Sequence, residues 1–180
     1  ETVYNIDNVP TDNTVLMDSV LLALRDWSCD LLLEDVEIDA ERKVILEEWR
    51  MRNDPSFRFR SAMAPKIFAE PQYHQTPIGT MEVVMNFPYK SLRDYYHKWY
   101  RPDQQGIVVV GDFNADDMER KVVEMFSDIP LPENAAPREY VRVSDNERPL
   151  FFAFEDPELK TDRVDFQIKF DKIPLEYQNT

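Results

Sequence analysis

The sequence predicts an α+β fold, an antiparallel or mixed sheet flanked by helices, and three observations lead there. Apolar residues recur at helical spacing in some stretches, as at Leu16, Val20, Leu24 and Trp27. In others they alternate with polar residues or run continuously, as in 107–110 (I-V-V-V), which is how strands read. The two kinds of stretch do not follow one another in strict alternation, so a doubly wound parallel sheet is not indicated.

Taken in order, Tyr4 and Ile6 alternate with polar neighbours across 2–8, which suits a half-buried strand that Pro10 ends. Residues 11–14 offer several N-caps for a helix to about Ser28, with Leu16, Val20, Leu24 and Trp27 as its core face. Asp39 is placed to cap a second helix through 41–50 (E-R-K-V-I-L-E-E-W-R). It stops at Asn53-Asp54-Pro55, because the residue before a proline disfavours the α conformation. Residues 56–69 read as helix with Pro65 as a kink or break, and 70–80 as a loop carrying Pro71, Pro77 and Gly79. Residues 89–100 form a helix whose inner face is Leu92, Tyr96 and Trp99. Gly106 to Gly111, with its continuous I-V-V-V, reads as a strand buried on both faces. Asn114 or Asp112 caps a helix through Met118, Val122 and Phe126 to Ile129. Three prolines in the eight residues 130–137 make the one linker-like stretch, and 140–143, 150–154 and 164–170 alternate as strands.

Composition excludes several functions. With 43% hydrophobic and 31% charged residues the chain is globular rather than disordered. A net charge of −14 and a pI near 4.5 argue against nucleic acid or anionic lipid as a partner. The single Cys29 excludes an internal disulfide and a cysteine-cluster zinc site, and a buried, inert thiol is its plain reading. No stretch approaches the ~20 apolar residues of a membrane span. The chain opens on a strand-like run without an initiator Met, which reads as a piece of a longer protein.

No G-x-S-x-G elbow and no phosphate-cradling glycine loop occurs, with three glycines in all. His74 and His97 stand on separate elements with 22 residues between them, so neither H-x-x-x-H nor H-x-x-E-H is present and each reads first as a surface or hydrogen-bonded histidine. Arg50, Arg52, Arg58 and Arg60 cluster locally, either as ion-pair partners for the surplus acids or as contacts for a peptide carboxylate or acidic partner. Glu41 and Glu48 are the informative pair. Seven residues is almost two helical turns, so both carboxylates share a face, roughly 10 Å apart, with Val44 and Ile45 between them. Spacing alone leaves two readings open: surface acids paired with arginines, or carboxylates holding a metal cation.

The segment 41–50 resembles the distal zinc-ligand helix of the pitrilysin/insulinase family of inverted zincins. Other segments agree in the family's order: E-T-V-Y at the start, Pro77-Ile78-Gly79-Thr80, and Tyr95 to Pro102 followed by 107–112. Trp27-Ser28 and E-E-W-R bring it nearest in look to bacterial zinc proteases of the envelope. Residues 113–180 match only in general pattern. The resemblance implies that Glu48 is the third zinc ligand and Glu41 the supporting carboxylate that orients and tunes it. Two histidines and a general-base glutamate would come from an H-x-x-E-H helix, the metal polarising the scissile carbonyl of a peptide. Only 47 residues precede Glu48, so that motif falls outside this chain.

The expectation is therefore about two-thirds of a pitrilysin-type metallopeptidase domain. Residues 1–129 would be its distal-ligand part, 130–137 a linker, and 138–180 its last strands and the start of the next segment. Zinc belongs to the full-length parent and none to this chain alone, which is expected to be inactive. The implied partners are a peptide or protein substrate, the parent's remaining domains, and a second copy through an exposed sheet edge, with no nucleic acid and no membrane insertion. A bacterial envelope or periplasmic location follows from the resemblance. Two rivals stand beside this: a non-catalytic, structural or substrate-clamping domain of the same family, and an unrelated acidic α+β interaction domain.

Overall fold

A computed structural model of the chain describes residues 2–169. Its helices are α1 (Thr14–Cys29), α2 (Asp35–Arg52), α3 (Pro55–Ile67), α4 (Met81–Asn86), α5 (Tyr89–Trp99) and α6 (Ala115–Phe126), with single 3-10 turns at Pro71–Tyr73 and Pro102–Gln104. The chain divides into two units, Glu1–Ile38 with Phe87–Pro137, and Asp39–Asn86 with Arg138–Thr180.

In the first unit α1 lies against α6. The side chain of Asn13 caps α1 by accepting from the Leu16 amide at 3.0 Å, and Asn114 caps α6 by accepting from Asp117. Leu21 and Met118 are the buried apolar residues of these helices, and Leu16, read as core, is half exposed. Arg25 ties the two ends together. Its guanidinium donates to the Met125 carbonyl at 2.8 Å and pairs with Asp128 at 3.0 Å. Tyr96 of α5 is buried as its spacing predicts, donating to the Trp27 carbonyl at 2.9 Å. Arg101 is buried too, paired with Asp103 at 2.9 Å and donating to the Ala136 carbonyl, so it fixes the end of the proline-rich stretch.

In the second unit Asp54 accepts from the Phe57 amide, which together with Pro55 at the first helical position starts α3 immediately after α2 ends. The helix runs through Pro65 to Ile67. Arg58 forks onto Asp156 at 2.6 and 2.9 Å and reaches Glu158 at 2.8 Å, while Phe59 packs on Phe152 and Phe154. Glu70 accepts from the amide and hydroxyl of Ser144, and those hydrogen bonds hold its carboxyl below the usual range. The hydroxyl of Tyr73 donates to Val141 at 2.6 Å.

The expected sheet is not found. Among the described residues no strand forms in 2–8, 107–110, 140–143, 150–154 or 164–169, so the α+β assignment is corrected to helices joined by extended segments; Phe170 lies outside the described residues. Alternation specifies only an extended chain with two different faces, whereas a strand also needs a neighbour for its N–H and C=O groups. The segment 107–110 has the alternation: Ile107 and Val109 are 38% and 37% exposed, Val108 and Val110 87% and 90%. It is covered in part on one side and bare on the other, which also overturns its expected burial on both faces. Phe151, Phe166 and Ile168 are equally bare.

Candidate metal-ligand helix

Helix α2 begins at Asp35, four residues before the expected cap, and Asp35 and Glu37 in its first turn suit the positive end of its dipole. Arg50 and Arg52 suit the other end. The stripe Ile38, Arg42, Ile45 and Trp49 is its more buried side, and Glu41, Val44 and Glu48 lie beside it toward solvent. Glu41 is exposed, Val44 is 57% exposed, and Glu48 is half exposed. The Glu48 carboxylate pairs with Arg52 at 2.6 Å, one turn on, and Glu47 pairs with Arg50 at 2.5 Å. Glu41 and Glu48 are thus brought to one helix face, and Glu48 is engaged by the arginine that the plainer reading of the pair supplies.

The other candidates lie elsewhere. His74 places Nε2 2.8 Å from the Phe68 carbonyl oxygen, and His97 stands on α5 with its ring against Tyr96. Cys29 is half buried beside Asp30, and burial pushes its thiol above the ordinary value, the reverse of an activated nucleophile. Among the described residues no group of three or more histidine, cysteine or acidic side chains could hold a metal ion. A carboxylate oxygen is a proper zinc donor, so Glu48 fits as one ligand of a larger set, and the described residues do not complete that set.

Arg50, Arg52 and Arg58 of the arginine cluster pair with acids, as its plainer reading expects. Two features escaped the sequence. Arg42 is only 6% exposed on the inner stripe of α2, paired with Asp39 at 3.2 Å and donating to the Val84 carbonyl. An open cleft of about 510 Å³ lies between α2, α3 and the Pro77–Thr80 turn, lined by Trp49, Asn53, Phe57, His74 and Gly79. Gly79 there takes φ 74°, which its lack of a side chain permits. Of these, Arg42 had a readable sign, a cation at an apolar position of the helical repeat.

With this geometry in view, residues 86–172 match the peptidase M16 inactive domain. The chain belongs to the peptidase M16, or pitrilysin, family. A protein of Escherichia coli strain K12 named "Probable zinc protease PqqL" is 31% identical over 147 residues, 81% of this chain and 16% of its own length. The protein of the same name in Haemophilus influenzae is 30% identical over 134 residues, 74% of this chain and 14% of its own. The crystal structure of the first half of the periplasmic protease PqqL from Escherichia coli matches with a TM-score of 0.65 at 30% identity, over 74% of this chain and 29% of that one. The chain therefore spans less than a third of the length of each. The matched inactive domain begins after α2 and does not include Glu41 or Glu48.

Proposed function

We propose that the chain serves as the distal-ligand part of a zinc-dependent peptidase, with Glu48 as a zinc ligand and Glu41 as the carboxylate that supports it. One observation carries this reading: two carboxylates share a face of α2 in a member of a family whose relatives are named zinc proteases. In this arrangement residues 1–129 contribute the ligand helix, 130–137 join, and 138–180 lead into the next part of the parent. Bound zinc would supply Lewis-acid polarisation of a peptide carbonyl. The chain's own tasks are simpler. Glu48 exchanges its exposed ion pair with Arg52 for the metal, at a cost of only about 0.3–0.5 kcal/mol. Glu41, on the same face, is the supporting carboxylate that tunes the site.

The remaining ligands and the general base belong to an H-x-x-E-H helix in the parent, the substrate is a peptide or protein, and the parent works in the bacterial periplasm, as the E. coli relative is titled. Exposed Val108, Val110, Phe151 and Phe166 support association of the separated chain with itself. The test is direct: the intact parent should contain H-x-x-E-H before this region and about one zinc per chain by atomic absorption. A parent with neither refutes the reading. A second reading has its own support, since residues 86–172 match an inactive domain: the chain then acts as a non-catalytic, substrate-clamping part of the same family. Metal-free parent that still binds peptide would favour it. Membership of the family removes the unrelated interaction domain from consideration.

A further inference from the structure

Arg42 stands where helix periodicity calls for an apolar residue, four after Ile38 and three before Ile45, and it is 6% exposed. Burying a guanidinium costs free energy that only well-placed partners recover. Two of its partners lie at opposite ends of its reach. One is Asp39 on its own helix, at 3.2 Å from Nε. The other is the carbonyl of Val84, which accepts from an amino group at the far end of the same planar fork. Val84 belongs to the last turn of the six-residue α4, where carbonyl oxygens have no partner within the helix. Arg42 therefore caps α4 through its amino group, while its ion pair with Asp39 stays within α2.

We propose that Arg42 is a positioning residue for the Glu41–Glu48 face, setting the roll of α2 by tying it to the C-terminal turn of α4; this rests on the reading of Glu48 as a zinc ligand. At 100° per residue, Glu41 and Glu48 both project about 100–120° around the helix from Arg42, on the same side of it. A carboxylate roughly 6 Å from the helix axis moves about 1.5 Å when the helix rolls by about 15°, beyond the ~0.5 Å within which a functional group must be held. A point donor cannot replace the fork. Lysine keeps the charge but carries its donors on a single nitrogen that does not span both partners, and methionine keeps only the apolar stem.

The test compares zinc affinity by chelator competition in the intact parent carrying Arg42→Met, Arg42→Lys or Glu48→Gln, each with hydrogen exchange of the α4 amides and circular dichroism. Arg42→Met is expected to weaken zinc about tenfold with helix content retained, Arg42→Lys by a smaller factor, and both should speed exchange in the last turn of α4. Wild-type affinity in folded Arg42→Met, while Glu48→Gln loses its zinc, overturns the role of Arg42 and leaves the ligand assignment standing. Zinc retained by Glu48→Gln overturns both. If Arg42→Met does not fold, Arg42→Lys decides: wild-type zinc affinity in that variant refutes the proposal.

Discussion

Replacing Glu48 by glutamine separates the two meanings of the Glu41–Glu48 pair, because an exposed ion pair and a zinc ligand predict effects of very different size. In the folded chain Glu48 makes one ion pair, to Arg52 at 2.6 Å, with the two side chains 42% and 62% exposed. An exposed pair at this spacing, acid first, contributes about 0.3–0.5 kcal/mol, and glutamine has nearly the helix propensity of glutamate. For a chain of this size that is a shift in Tm of about 1–2 °C. It should vanish near 1 M salt, where the screening length falls to about 3 Å. The metal effect is of another order. Loss of a charged oxygen donor from a zinc site should take the parent from about one zinc per chain to almost none. Thermal melts of the chain followed by circular dichroism, and atomic absorption on the purified parent, read the two effects independently. An unchanged metal load in Glu48→Gln refutes the ligand assignment. A fall in Tm of more than about 5 °C would show Glu48 to be a structural group that the exposed geometry does not account for.

Three further outcomes follow from particular residues. Glu41→Gln should weaken zinc in the parent by about tenfold without emptying the site, as loss of an outer partner does; complete loss would make Glu41 a ligand. Leu21→Ala should cost about 2–3 kcal/mol by urea unfolding, the lower part of the range for a buried leucine, because its thinly covered surroundings can close on the gap. A cost under about 1 kcal/mol would show that α1 is not anchored there. Tyr100 is pushed up to about 12 by burial and then by its hydrogen bond with Tyr4. Its folded value lies above the ordinary ~10, so it stabilises the fold fully below pH 10 and loses that contribution as pH rises from 10 to 12. Burial raises Tyr96 as well, so absorbance at the tyrosinate band should show both Tyr96 and Tyr100 titrating late, with only the Tyr100 step moved earlier by Tyr4→Phe; an unmoved titration contradicts the pairing.

The helices were legible because their signals are local. Asn114 caps as its position suggests, and so does Asn13, one of several candidates the sequence offered. The Asn53-Asp54-Pro55 run that stops α2 also starts α3, since Asp54 accepts from Phe57 and proline suits the first turn. The start of α2 was missed by four residues because Asp39 is as good a cap by type as the acids at Asp35 and Glu37 are a good first turn. Six-residue α4 is too short to show a period. The strands failed for a different reason. Val108 and Val110 do share a face, as the alternation requires, but pairing depends on a neighbour's backbone, and that is not written in the strand's own residues.

The same division runs through the site. The shared face of Glu41 and Glu48 was legible because helical geometry alone joins them, seven residues apart. Arg42 sits next to Glu41 in sequence and was passed over, because its partner Val84 lies 42 residues on. Its oddity could still be seen: a cation between Ile38 and Ile45 on the inner stripe has to find buried partners or be expelled from the stripe. Arg101 carried no such sign. It is as buried as Arg42 but stands between Tyr100 and Pro102 just past the end of α5, where no repeat marks a position as inward. A misplaced charge within a periodic element thus announces that a long-range partner exists, though not which one. Outside such an element, even that announcement is lost.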